Sequence, residues 1–370
     1  MKITFITEHY PPHVGGVEAV FQNFARRLAA RGCRVRVVTS TSNNQRTPYQ
    51  DANVSVYPLI SRSFSGHPLL PRRSAAPHVR WSDIVHTTTY TAALTAQPLC
   101  ARFRKPCLIS VHEVIGRRWF KLNLNPLLAA ALYVAEQYIV SRPYTHWHAV
   151  SGATRRDLVA AGISAPRITR IYHGIDPAVW HPGVPPNDLA GFLNLPSHSR
   201  ILLYTGRAGA TKGIFDLIEA TRQVNGQLSP DIRLGLLVPD DPPGTRRRLV
   251  RHIARAGLKD RLRVRGPVPA HELPGLRRAA YAGIVPSRTE GFGLSAAELS
   301  HLGVPLIAST AGALPEVTGG RVVSFPPGNT QALAAALLAA DREEFAQRTV
   351  PRFAWTKTID ELYQLYRRLL

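Results

Sequence analysis

The chain has 370 residues, 45% of them hydrophobic and 19% charged, a globular composition too long for one ordinary core and suited to two domains. Lys and Arg number 46 against 24 Asp and Glu, a net +22; 22 of the basic and 8 of the acidic residues precede residue 180, so the excess lies in the first half. The three cysteines form no C-x-x-C pair, which argues against a zinc site or a disulfide scaffold and for a reducing cytoplasm.

Such a charge suits nucleic acid, anionic lipid or a phosphorylated substrate, or else reflects a genomic bias to arginine, since only six of the 46 are lysine. The chain begins on a strand-like KITFIT, without the basic, apolar and small-residue series of a signal peptide. The loop EHYPPHVGG leads to Val17, Val20, Phe21, Phe24, Ala25 and Leu28 at helical spacing, then Gly32 as a helix end and the strand RVRVVTS. Gly15 and Gly16 precede that helix but not in a G-x-G-x-x-G frame, so they mark a turn or an approach to phosphate. DIVHT (83–87), CLISVH (107–112), THWHAVS (145–151) and RITRIYHG (167–174) alternate with helical stretches, which predicts a parallel sheet covered on both faces. His112 ends one strand beside Glu113, where it could position a substrate hydroxyl or be structural. RRWFKLNLNPLL (117–128) reads as a basic, aromatic helix, either plain surface or a dock for anionic lipid. NPLLAAALYVAEQYIV (125–140) is too short to span a bilayer, and His146 and His148 read as structural.

The proline-rich stretch 175–200 reads as an interdomain linker. A second series follows: ILLYTG, IRLGLLV, RLRVRG, AGIVPS and VPLIAST as strands, with helices between. Two tandem doubly wound domains gather ligands at the carboxyl ends of their strands. There, Arg207 and Lys212 lie in a loop opened by Gly206, two cations suited to a diphosphate or simply solvated. In RTEGFGLSAAELSHL, Gly291 and Gly293 allow a close backbone approach, and the helix start favours an anion. Glu290 and Glu298 flank that turn, and each carboxylate suits a pair of hydroxyls, as on a sugar or ribose. ALPEVTGG (313–320) is a further loop; RRRLVRHIAR (246–255) reads as a solvated basic helix; the tail carries Ile359, Leu362, Leu365 and Tyr366 at helical spacing.

The ordered set resembles the retaining glycosyltransferases of family 4, which have the GT-B architecture. The matching pieces are Pro12–Gly16, His112, HGID (173–176), G-R…K-G (206–213), EGFGLSAAE (290–298), G-x-P (303–305) and LPEV (314–317), along nearly the whole chain. One departure is the pair Pro242 and Pro243 after the strand at 232–238, where the family commonly has glycine. The resemblance implies an α/β, GT-B fold: two Rossmann-like domains facing across a cleft, an acceptor-side domain at 1–178, a donor domain at 179–352, and a last helix at 353–370 crossing back to the first. It implies that Arg207 and Lys212 bind the donor's diphosphate, Glu290 the transferred sugar and Glu298 the ribose. Gly15, Gly16, Gly206, Gly291, Phe292, Gly293 and Leu294 would line the donor, and His112 would sit near the reacting carbon.

The expected reaction is transfer of a sugar from a nucleoside diphosphate sugar to a hydroxyl acceptor, lipid-linked or a glycan precursor, with retention. No D-x-D triplet occurs, so neither a metal nor another cofactor is expected. A cytoplasmic enzyme is expected, with docking at the inner membrane face open and nucleic acid not expected. The alternatives are a nucleotide-sugar epimerase on the same fold and a non-catalytic basic binding protein.

Overall fold

The computed structural model describes residues 1–13, 15–41, 47–64, 67–122 and 124–370. Two compact units emerge: one of Met1–Lys121, Asn125–Gly174 and Phe353–Leu370, the other of Ile175–Arg352 and Leu122–Leu124.

In the first unit the described strands are β1 (Lys2–Ile6), β2 (Arg34–Ser40), β3 (Tyr49–Asp51), β4 (Val54–Leu59), β5 (Arg62–Phe64), β6 (His67–Leu69), β7 (Ile84–Thr88), β8 (Cys107–Val111), β9 (His146–Ala149) and β10 (Ile168–Arg170). Eight make one sheet in the order β10-β9-β8-β7-β1-β2-β4-β3, and β5 pairs with β6 separately. All neighbours in the large sheet are parallel except β3 against β4. The chain runs outward from β1 to β4, then returns to fill the other side from β7, so β1 and β7 form the switch point of the sheet. Strands β7 (IVHTT) and β8 (CLISV) are buried at every position, as a parallel strand covered on both faces requires. The helix Gly16–Ala30 turns Val20, Phe21, Phe24 and Leu28 inward, and Phe21 meets Phe5 edge-on at 5.6 Å.

The helix Trp355–Leu369 belongs to this same unit and buries Ile359, Leu362, Leu365 and Tyr366. Each buried aliphatic side chain there contributes roughly 1.5–3 kcal/mol. Tyr366 also starts a hydrogen-bonded chain through the sheet. His148 Nε2–H donates to the Ile171 carbonyl at 2.8 Å, so its Nδ1 accepts from the Ser110 hydroxyl at 2.7 Å. Ser110 Oγ then accepts from His86 Nε2–H at 2.6 Å, and His86 Nδ1 accepts from the Tyr366 hydroxyl at 2.6 Å. Every proton is used once and both rings are neutral. Burial agrees with this, pushing His148 down to about 4 and His86 well below its usual range.

The second unit holds β11 (Arg200–Thr205), β12 (Ile232–Leu237), β13 (Leu262–Arg265), β14 (Ala282–Val285), β15 (Leu306–Ser309), β16 (Gly320–Phe325) and β17 (Ala346–Arg348). Their order is β13-β12-β11-β14-β15-β16-β17, parallel apart from β17, with the switch point between β11 and β14. Leu202, Leu234, Leu236, Ile284 and Ile307 meet Ile218 and Leu337 in its core. Both sheets share a fold plan, a parallel α/β sheet with one antiparallel edge strand.

Two sequence readings change. The stretch 175–200 is not a bare linker. It belongs to the second unit and forms the helix Leu189–Leu193, with Leu189 and Leu193 buried and Asp188 capping through Gly191 N–H at 2.8 Å. RRWFKLNLNPLL is not one helix either: a 3₁₀ turn covers Gly116–Lys121 and the α-helix starts at Pro126, where proline is well placed and the Asn125 side chain accepts from Leu127 N–H at 2.9 Å.

Candidate active site

At the switch point of the second sheet, two loops leave the carboxyl ends of β11 and β14, at 206–213 and 286–293. Gly213 has φ 64°, and a Cβ there would stand 1.9 Å from the Pro286 carbonyl oxygen, so only glycine lets the loops touch. The Arg288 N–H donates to the Thr211 carbonyl at 2.7 Å, closing the same contact. A third loop arrives at Gly312, φ 51°, where a Cβ would lie 2.0 Å from the Glu290 carbonyl oxygen; that oxygen accepts from Ala313 N–H at 2.9 Å. Arg288 grips Asp216 in the first turn of the next helix with two bonds of 2.6 and 2.7 Å. The backbone around Glu290 is thereby held from three sides.

The side chains follow from that frame. Lys212 Nζ lies 2.8 Å from Glu290 Oε2 and 3.1 Å from Oε1, and the Ser287 hydroxyl donates to Oε2 at 2.9 Å. A cation and an acid assigned separately from the sequence are therefore bound to each other. Arg207 is exposed on the Lys212 loop, next to Gly206, and its carbonyl accepts from the Tyr204 hydroxyl at 2.6 Å. Gly291, Phe292 and Gly293 are buried, and the helix Leu294–His301 begins directly after them.

Glu298, on that helix, is paired with Arg277, a residue that sequence reasoning passed over. Arg277 is only 3% exposed. Its Nη2 donates to Thr205 Oγ1 at 2.6 Å and to Ser295 Oγ at 3.1 Å, and its guanidinium lies 5.1 Å from the Trp180 ring centre. Burial raises the Glu298 carboxyl above its usual range, and Arg277 opposes that shift. No local signal marks Arg277: its hydrogen-bond partners are 18, 21 and 72 positions away in sequence.

In the first unit, Gly16 opens the helix Gly16–Ala30 and Gly15 stands just before it. The loop after β1 carries a carboxylate the sequence did not single out. Glu8 Oε1 accepts from Ala92 N–H at 2.6 Å, beyond the end of β7, and burial pushes its carboxyl up to about 7. Glu18 behaves oppositely: burial raises it, but hydrogen bonds from His13 and its own backbone outweigh that and hold it below the usual range. His112 directly follows β8. Its Nε2 is buried without a hydrogen-bond partner among the described residues, and its ring lies 5.5 Å from that of His173. Burial pushes His112 down to about 3, so at neutral pH it is an uncharged hydrogen-bonding group. The chain thus gathers Arg207, Lys212, Glu290 and Glu298 at one switch point, and Gly15, Gly16 and His112 on the other unit.

Known proteins share this organisation. Residues 14–179 match the family model described as Glycosyltransferase Family 4, and residues 188–350 the one described as Glycosyl transferases group 1. A D-inositol 3-phosphate glycosyltransferase of Xylanimonas cellulosilytica is 26% identical, covering 95% of this chain and 91% of that protein. The sucrose-phosphate synthase of Thermosynechococcus elongatus superposes with a TM-score of 0.76 at 22% identity, over 100% of this chain and 98% of that one. The crystal structure of Anabaena HepE in complex with UDP and glucose does so with 0.74 at 19%, over 100% of both. At such identities these structures speak for the fold, which is GT-B.

Proposed function

The chain belongs to the family 4 type of group 1 glycosyltransferases, and on that premise we propose that it transfers a sugar, with retained configuration, from a nucleoside diphosphate sugar to a hydroxyl acceptor. The observation that carries this is the Lys212–Glu290 pair at the β11/β14 switch point, with Glu298 on the following helix paired to Arg277. Arg207, Lys212 and the first N–H groups of the helix at Leu294 meet the charge of the leaving diphosphate, which assigns no step to a metal or other cofactor. Glu290 orients the sugar hydroxyls and Glu298 the ribose. Gly206, Gly291, Phe292 and Gly293 let the backbone approach the donor.

In the reaction the bond from the anomeric carbon to the phosphate oxygen breaks and a bond to the acceptor oxygen forms on the same face. The acceptor's proton passes to the departing phosphate, so no side chain is named as general base. A neutral His112 suits this, since it can hold a hydroxyl by a hydrogen bond without supplying charge. UDP and glucose occur with HepE, and an inositol phosphate is named for the Xylanimonas relative; both belong to the first compounds to try. A lipid-linked or glycan acceptor at the inner membrane face completes the reading.

Acceptor-dependent release of nucleoside diphosphate, measured with UDP-, GDP-, ADP- and dTDP-sugars, tests it. Release with one donor and a hydroxyl acceptor is the expected result. Sugar interconversion without any acceptor would mean an epimerase, and salt-sensitive nucleic-acid retention without donor binding a non-catalytic protein.

A further inference from the structure

Phe120, Leu127, Leu128, Val134 and Tyr138 are all exposed large hydrophobic residues within one segment, and Leu127 is 81% exposed. On the helix Pro126–Val140, the exposed positions after Pro126 are Leu127, Leu128, Ala131, Val134, Ala135 and Tyr138. Their spacing places them on one face. The opposite face turns Ala129, Ile139 and Val140 into the protein. The stripe carries no charge at all.

Its surroundings are cationic. Between residues 116 and 142 the sole acid is Glu136, and its two oxygens accept from Ile115 N–H at 2.7 Å and Gly116 N–H at 2.6 Å. Arg117 and Lys121 are exposed on the 3₁₀ turn, whose Phe120 ring lies 6.0 Å from that of Tyr133 on the helix. At the far end Arg142 stacks 5.1 Å from the Tyr138 ring centre. Apolar surface rimmed by arginine and lysine has two obvious occupants. A second copy seated on the same face would bring Arg117, Lys121 and Arg142 against their own duplicates, with no acid of the segment to meet them. An anionic bilayer would take the apolar side chains below its head groups and neutralise the cations above. The helix has 15 residues, and no described helix is long and apolar enough to cross a membrane, so the fitting pose is in the plane of the surface.

We propose that the Leu127–Tyr138 face and its cationic rim dock this protein onto an anionic lipid bilayer. The inference deepens the membrane-side part of the reading above and is independent of the transfer chemistry. It is tested by co-sedimentation of the full chain with phosphatidylcholine vesicles, with and without phosphatidylglycerol. Expected are binding to the anionic vesicles alone, weakening as salt is added, and loss of binding in Leu127→Glu with Val134→Glu. Arg117→Gln and Lys121→Gln should each lower partitioning roughly fivefold. Both pairs of substitutions are on exposed positions, and melting curves check that the variants fold.

Wild-type protein left in the supernatant of anionic vesicles at low salt would overturn the proposal, as would a Leu127→Glu, Val134→Glu variant that binds like wild type. So would a solution dimer that the same two substitutions disperse, since that assigns the face to a second copy. Nucleoside diphosphate release from the same preparation separates the two readings: turnover kept with vesicle binding absent rejects only the dock.

Discussion

The two sheets share a topology but build their central polar systems differently. At the second unit's switch point the buried and half-buried partners are ions: Arg277 with Glu298, Lys212 with Glu290, Arg288 with Asp216. In the first unit, the corresponding polar system is neutral, running from Tyr366 through His86 and Ser110 to His148. A buried ion pair is strongly destabilised when one member is lost. A neutral chain fixes a geometry with little dependence on ions. One fold plan therefore accommodates both an ionic and a neutral polar system.

The sharpest way to break the comparison is Arg277→Met. It leaves the Glu298 carboxylate without its cation, a loss of about 3–5 kcal/mol for a buried pair, towards the lower end because 18% of the Glu298 side chain is exposed. Burial already raises this carboxyl, so the variant folds best with Glu298 protonated. Its defect should grow as pH rises, read by denaturant unfolding at acid and alkaline pH. Lys212→Ala should cost less stability than Arg277→Met, because 31% of the Lys212 side chain is exposed, and should slow turnover by about 2.7–4 kcal/mol of barrier, judged from single oxyanion-donor deletions; unchanged kcat would remove Lys212 from the reaction.

The first unit offers the counterparts. The Glu8 carboxyl titrates at about 7 in the folded protein against 4.5 outside it, so the folded state holds an extra proton between those values. Stability from this group is present at low pH and falls as pH rises towards 7, by about 3 kcal/mol in total. Glu8→Gln should remove that part of the slope, seen as a smaller loss of stability from pH 5 to pH 8 than in wild type. Last, Tyr366→Phe leaves His86 Nδ1 without its donor, costing about 1–3 kcal/mol. This penalty should show no comparable pH dependence near neutrality, because His86 is neutral there. A pH-dependent loss would mean that this polar chain is charged after all.

Much of the architecture was legible because parallel strands advertise themselves: IVHTT and CLISV are unbroken buried runs, and glycine loops follow the strands that matter. The short strand β3 and the proline-containing β4 escaped notice, since Pro58 and the mixed residues around it blur the pattern. The site residues were visible as types in place, but not as partners. Lys212 and Glu290 are 78 positions apart, and only the meeting of Gly213 with Pro286 brings them together. Glu8 was hidden for a similar reason: a loop acid looks solvated until a distant helix start receives it.

The first unit is finished by residues 353–370, which arrive only after the whole second unit has been made. Until Tyr366 reaches its sheet, a nascent chain has His86 without its hydroxyl donor and exposes the apolar surface that Ile359, Leu362 and Leu365 later cover. During synthesis, therefore, the first unit lacks part of its core until the second unit has left the ribosome.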